Sequence, residues 1–266
     1  MDDRATSVTC NVALRVRPPD RPRTTARAYT PEQPEELWNA VFTCGLADPE
    51  LAMLLFWWHL ETGARRGGAL HLEVGDLDLA RQYARLLEKF AKVDDQPISI
   101  ELQRAILSHA LERVDVVLST ADGLCAEEVT VDDVLDGRAT LRPDAPAFYY
   151  QRRRKVTRPD GSFALEPHPL MPRAYNTIWD RICAHVPCAD SLHARPHDLR
   201  KTEVVWIERA LGFSVARAWL GHQADDHTLT YTAAADEEVL LGFEMLTGRT
   251  HPHAQPALRD RGSGSG

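Results

Sequence analysis

The sequence predicts a mainly α domain carrying a small antiparallel β-sheet, an α+β fold. Apolar residues recur at helical spacing over much of the chain. One run, LAMLLFWWHL from Leu51 to Leu60, is apolar nearly all round, which marks a helix at the centre of a core. Between Gly75 and Ile100 the pattern shifts to short stretches separated by turn residues, as strands require. The chain has 266 residues, 44% apolar and 26% charged, so it can bury a sizeable core.

Residues 1 to 28 are rich in Pro, Arg and Thr without period and read as a flexible arm. A domain is expected over residues 29–246. Its first helix opens in TPEQPEELWNAVFTCGL, with Thr30 as N-cap, Pro31 at the first helical position and Glu32 in the first turn. Leu37 and Val41 then mark the buried face. A second helix runs from Pro49 to Glu61 and ends at Thr62-Gly63, and Gly67-Gly68 loosens the next segment. The sheet over residues 75–100 has two or three strands, with a turn at Asp94-Asp95 and Pro97 at an edge. Helix returns over Glu101 to Leu118. Residues 119–147 are acidic and turn-rich and read as an insertion or long connection. Further helices are expected over Tyr175 to His185 and from Pro196 to Leu246. Residues 247–266 form a tail ending in the linker-like RDRGSGSG.

No run of 18 apolar residues occurs, so no membrane span is expected. The first twenty residues lack the apolar centre of a signal peptide, and a cytoplasmic home is the expectation. Five cysteines, Cys10, Cys44, Cys125, Cys183 and Cys188, are odd in number and without framework spacing, which favours free thiols. CAHVPCADSLH gathers Cys183, His185, Cys188 and His193 but lacks the spacing of a common zinc module. Neither a metal nor a cofactor is expected. A net charge of −8 argues against coating nucleic acid by charge alone. Local basic runs remain at Arg65-Arg66 and at QRRRKVTR, Gln151 to Arg158. Such runs are usually solvated faces, yet they are compatible with a basic groove for a specific DNA site.

Certain polar residues stand at element ends. Arg65 comes after the buried helix at a glycine-rich break. His197 and Arg200 are three apart in PHDLRKT, hence on one helical face. His222 succeeds Leu220-Gly221, and Tyr231 lies nine residues on. Arginine's planar fork binds two phosphate oxygens at once and stays charged. Tyrosine can attack phosphorus to form a covalent intermediate. Histidine can pass a proton near neutral pH.

The stretch HDLRKTEVVWIERALGFSVARAWLGHQADDHTLTY resembles the catalytic motif of the tyrosine recombinases, the phage integrase family. That pattern is H-x-L-R, then L-G-H, then a tyrosine. Here Arg200 precedes His222 by 22 residues and His222 precedes Tyr231 by nine. Upstream, ETGARRGGALHLEVGDLDL is similar to the family's T-G-x-R box and puts the first arginine at Arg65. EKFAKVDDQPIS is similar to its lysine-bearing β-hairpin and puts the lysine at Lys89, with Lys92 as the alternative.

The resemblance covers roughly residues 29–245 and implies the tyrosine recombinase catalytic-domain fold. It also implies site-specific DNA cleavage and rejoining through a 3′-phosphotyrosyl intermediate. Tyr231 would be the nucleophile, Arg65 and Arg200 the oxygen clamps, and Lys89 the acid for the leaving 5′-oxygen. His197 and His222 would bind the phosphate, with His197 able to take the tyrosine's proton. No metal or cofactor is implied. The implied partners are double-stranded DNA and further copies of the chain. They would form a dimer or tetramer on DNA by exchanging the C-terminal segment around DEEVLLGFEMLTG, the alternative for that segment being to pack back on its own domain.

Several positions depart from the pattern. Gly68 stands where the family usually has an acid that orients the first arginine, and Arg66 is a possible substitute for Arg65. Glu203 and Trp206 replace smaller residues after H-x-L-R. Only about 28 residues precede the match, where most members carry a further helical domain. The alternatives are a cleavage-deficient DNA-binding or assembly protein and a type IB topoisomerase-like enzyme, against which the L-G-H spacing argues.

Overall fold

The computed structural model describes residues 28–30, 32–88, 92–121, 123–186, 196–221 and 236–254. Helix α2 (Pro49–Thr62) is the centre of the fold, as its all-round apolar sequence requires. Leu51, Leu55, Phe56 and Trp58 are fully buried. Asp48 caps its start by accepting from the Leu51 amide at 3.1 Å, and Gly63 closes it in a left-handed conformation. Helices α1 (Gln33–Thr43), α4 (Ile100–Arg113) and α6 (Pro172–His185) share one core with α2.

Helix α1 begins later than expected. Its N-cap is Glu32 without a side-chain cap, and the Thr30 amide instead donates to Gln33 Oε1 at 2.9 Å. Pro34, within the first turn, takes the place where a missing N–H costs nothing. Pro31 lies outside the described residues.

After the short helix α3 (Arg66–Leu70) comes an antiparallel sheet in the order β1 (Leu77–Asp78), β2 (Tyr83–Glu88), β3 (Lys92–Pro97). The expected turn at Asp94-Asp95 is corrected. Both residues lie within β3, Asp94 opposite Leu86 and Asp95 opposite Arg85, where Arg85 Nε stands 3.7 Å from Asp95 Oδ1. The cross-strand cation makes an acid tolerable in a strand.

Helix α4 is capped by Ser99, whose Oγ accepts from the Leu102 amide at 3.1 Å. It stops at Arg113 rather than Leu118, because Val114, Val116 and Val117 are β-branched and favour extended backbone. Strand β4 (Val117–Thr120) pairs with β5 (Ala139–Leu141), with helix α5 (Val131–Leu135) between them. Val134, Ala139, Leu141, Ala145 and Ala147 are buried in the main core, so these residues of the 119–147 segment pack against the body.

Strands β6 (Tyr149–Thr157) and β7 (Phe163–Pro169) form a two-stranded ribbon. The arginine-rich sequence hid it, because a strand exposed on both faces shows no apolar alternation.

Helices α7 (Pro196–Leu211), α8 (Phe213–Trp219) and α9 (Asp236–Thr247) close the chain. They enclose a second, smaller core of Ile207, Val215, Ala216, Trp219 and Phe243. Leu199 of α7 belongs to the larger core, so α7 stands between the two. Among the described residues, no helix is long and apolar enough to cross a membrane.

Candidate active site

The turn that presents Arg65 is fixed from beneath. His59 on α2 is fully buried. Its Nδ1–H donates to the Ala64 carbonyl at 2.9 Å, and its Nε2 accepts from the Tyr175 hydroxyl at 2.6 Å. Burial holds the His59 pKa down to about 4, so the ring is neutral and the carbonyl sets its tautomer. Thr62 Oγ1 donates to the Trp58 carbonyl at 2.6 Å and accepts from the Ala64 amide at 3.2 Å. Arg65 comes next, in extended backbone, as the N-cap of α3.

Arg200 reaches that turn from α7. It is buried, and its Nη1 donates to the Gly63 carbonyl at 2.6 Å. Its Nη2 donates to the Leu220 carbonyl at 3.0 Å. One guanidinium thus joins the end of α2, two residues before Arg65, to the end of α8, two residues before His222. Gly221 has φ +62°, and a Cβ there would collide with the Asp94 carboxylate of β3. The expected lysine hairpin therefore packs against the end of α8, and only glycine allows that approach.

Arg65, Arg66, Tyr175, Asn176, Trp179, Asp180 and His197 line a cleft of about 240 Å³. Arg66 Nη1 donates to Asn176 Oδ1 at 3.3 Å. His197 sits at the solvent side. Partial desolvation, and then the cations Lys201, Arg200 and Arg65 against Asp198, hold its pKa below the ordinary imidazole value. A neutral imidazole beside two guanidiniums can accept a proton, while the guanidiniums can hold an oxyanion.

The structure thus brings Arg65, His197 and Arg200 around one turn. Lys89, His222 and Tyr231 lie outside the described residues. Lys92 opens β3, and its side chain also lies outside them.

Three residues escaped the sequence reading, His59, Tyr175 and Glu61, and a fourth, Glu203, was read only as a departure from the family pattern. His59 and Tyr175 support the Arg65 turn. Glu203 is fully buried; its Oε2 accepts from Trp219 Nε1 at 3.4 Å, and its Oε1 has no hydrogen-bond partner among the described residues. Burial pushes its pKa well above the usual carboxylate range, against the pull of Trp219 and Arg200. A Cβ on Gly63 would collide with this carboxyl, so the glycine of the T-G-x-R box makes room for it. Glu61 accepts from the Ser99 amide and from Ser99 Oγ, and burial raises its pKa too. Gly68, where an acid was expected, is buried within α3. The available signal was Glu203 itself, one helical turn beyond Arg200.

Among the described residues, no group of three or more His, Cys, Asp or Glu is placed to hold a metal. Of the sequence cluster considered for zinc, Cys183 is half-buried and His185 Nε2 lies 3.2 Å from Thr43 Oγ1. Cys188 and His193 lie outside the described residues.

The sequence profile of the phage integrase family matches residues 28–238. Among solved structures, XerA recombinase is 16% identical with a TM-score of 0.46, over 90% of this chain and 71% of that one. The Tn1549 transposon integrase in complex with circular intermediate DNA is 16% identical with a TM-score of 0.44, over 81% of this chain and 63% of that one. The same integrase carrying Y379F, with transposon right-end DNA, is 17% identical at 0.44, over 85% and 68%. No curated protein matches significantly.

Proposed function

The chain belongs to the phage integrase family, the tyrosine recombinases, and from that premise we propose the division of labour within its site. The protein is a site-specific DNA recombinase. Tyr231 Oη attacks the scissile phosphorus, forms the 3′-phosphotyrosyl bond and breaks the bond to the 5′-oxygen. Lys89 gives that oxygen a proton, leaving a 5′-hydroxyl. Arg65 and Arg200 hold the non-bridging oxygens as charge develops. His222 donates to the same phosphate. His197, neutral in its cationic surroundings, takes the tyrosine's proton. The reverse attack by a 5′-hydroxyl rejoins the strand, because the phosphotyrosine conserves the bond energy.

The observation that best supports this reading is Arg200 bonded to the Gly63 carbonyl, which locks both arginines to one turn. We assign the protein to the cytoplasm, associated with the nucleoid in a bacterial cell, because its substrate is DNA. We also assign it to dimers or tetramers on DNA, with α9 as the exchanging element. In this structure α9 packs on its own chain, Gly242 lying against Ile207 and Trp219 and Phe243 buried.

A nicked suicide duplex carrying the protein's own recombination site tests the reading. The expected result is a covalent adduct with the wild type and none with Tyr231→Phe. DNA binding without any adduct would identify a cleavage-deficient binding protein instead.

A further inference from the structure

The β6–β7 ribbon leaves the body as an unsupported two-stranded blade. Every residue from Gln151 to Phe163 except Val156 is exposed. Strand side chains alternate between faces, so cations on consecutive residues cover both. Arg152, Arg153, Arg154, Lys155 and Arg158 stand against only Asp160 and Glu166, within a chain of net charge −8. Arg154 pairs with Glu166 at 3.3 Å, and Lys155 Nζ lies 3.5 Å from the centre of the Phe163 ring. The side chains of Arg152, Arg153 and Arg158 meet no carboxylate among the described residues.

The root of the blade is fixed. Asp48 accepts from the Gln151 amide at 2.9 Å and from Arg113 Nη2 at 3.1 Å. Arg113 Nη1 donates to the Tyr149 carbonyl at 3.1 Å, and the Tyr149 amide donates to His109 Nε2 at 3.0 Å. The tip is closed too: the Arg158 amide donates to the Ser162 carbonyl at 2.8 Å, and Asp160 Oδ1 accepts from Ser162 Oγ at 2.6 Å. Between root and tip the register slips. Gln151, Arg152 and Arg153 face Pro167 alone, since Tyr150 pairs with His168 and Arg154 with Glu166. Pro167 has no amide to donate, and such bulges re-aim side chains.

A bare two-stranded ribbon is marginal in water by itself, and this one spends its exposed length on like charges. Its position indicates what it meets. On leaving β7 the chain runs through Pro169, Leu170 and Met171 beside Arg66 and Gly67. It then enters α6, whose Tyr175 and Asn176 line the catalytic cleft. The blade therefore rises next to the arginine turn. Nine residues of strand reach roughly 30 Å, close to one turn of B-form DNA, and a major groove about 12 Å wide admits a two-stranded ribbon.

We propose that the β6–β7 ribbon is a second DNA-binding element, laid along the groove of the duplex that flanks the cleavage point. It supplies the phosphate-neutralising charge that the acidic body lacks. The inference rests on the reading of the cleft as a DNA-cleaving site.

The test uses the full chain carrying Tyr231→Phe, binding a labelled random-sequence duplex of about 40 bp (roughly four helical turns) across a salt series. The variant is Arg152→Gln/Arg153→Gln/Lys155→Gln, with a charge-keeping control, Arg152→Lys/Arg153→Lys. The glutamine variant should weaken binding at least about tenfold and flatten the slope of log K against log salt by about 2 to 3, at roughly 0.9 per phosphate contact. The lysine control should keep slope and affinity. An unchanged slope and affinity in the glutamine variant, with the parent binding, overturns the proposal while leaving the cleft reading intact. Absence of duplex binding by the parent overturns both. Loss of self-association with DNA binding intact makes the ribbon a protein-docking element and also overturns it. Adduct formation on the suicide duplex by the Tyr231-bearing variant reports separately on the cleft.

Discussion

The two cores of this molecule differ in size and in what closes them. The larger gathers residues from Tyr29 to Leu199 around α2 and is sealed by aromatic contacts such as Phe56 with Trp179 and Trp58 with Phe148. The smaller holds only Ile207, Val215, Ala216, Trp219 and Phe243, contributed by α7, α8 and α9. The seam between them is polar. Arg200 crosses it to Gly63, Glu203 fills the space that glycine leaves, and the Tyr29 amide donates to Thr202 Oγ1 at 2.9 Å. Arg65 hangs from the larger core's side of the seam, while Arg200 and His197 come from α7. The difference teaches where a phosphate site can sit. On the proposed reading, the larger block holds one clamp, Arg65, and the smaller block's helix α7 brings the other, Arg200.

The seam should be the costliest place to break. Arg200→Ala is expected to lower the rate of adduct formation by about 10² to 10³ through loss of an oxyanion donor. Single-turnover cleavage reads this, and a rate within a few-fold of wild type would separate Arg200 from the chemistry. The cores come next. Phe56→Ala in the large core should cost about 3 to 5 kcal/mol of global stability. Phe243→Ala should instead open α9 locally. Hydrogen exchange distinguishes the two, with protection lost over 236–247 and kept over 49–62. Equal loss in both segments would mean the cores unfold as one.

Much of this was legible because it is local. The capped, apolar α2, a sheet of two or three strands over 75–100 and the order Arg65, His197, Arg200 are written in short windows of sequence. The rest depends on contacts between distant segments. Asp94 and Asp95 read as a turn until Arg85 faces one of them across the sheet. Glu203 read as a departure until Gly63, 140 positions away, proved to make room for its carboxyl. The β6–β7 ribbon read as a solvated charge run because, beyond its buried root at Tyr149, residues 151 to 163 are exposed apart from Val156. The support of Arg65 by His59 and Tyr175 joins residues 116 apart, beyond any window.

Titration sharpens the comparison on a smaller scale. His59, with its pKa held at about 4, is neutral when folded, whereas the unfolded chain takes up a proton below about 6.5. Stability is therefore lost as pH falls from about 6.5 to 4, by on the order of 3 kcal/mol at the limit. Thermal melts over that range check it. Glu203 has the opposite sign: its folded pKa is raised, so the unfolded chain ionises first and stability falls as pH rises above about 4.5. Glu203→Gln should flatten that alkaline decline and leave cleavage near wild type, whereas an unchanged decline would place the titration elsewhere. The smallest effect is expected at Arg85 and Asp95, an exposed pair on the sheet. Arg85→Ala should move stability by less than about 0.5 kcal/mol, as chemical denaturation would show.

The central claim is that the seam presents a phosphate to Tyr231. The most direct measurement digests the protein trapped on a suicide duplex and locates the nucleotide-bearing peptide by mass spectrometry. The account predicts a 3′-linked nucleotide on Tyr231. Linkage to another tyrosine, Tyr175 in the cleft wall being the nearest rival, or no linkage at all, would contradict it.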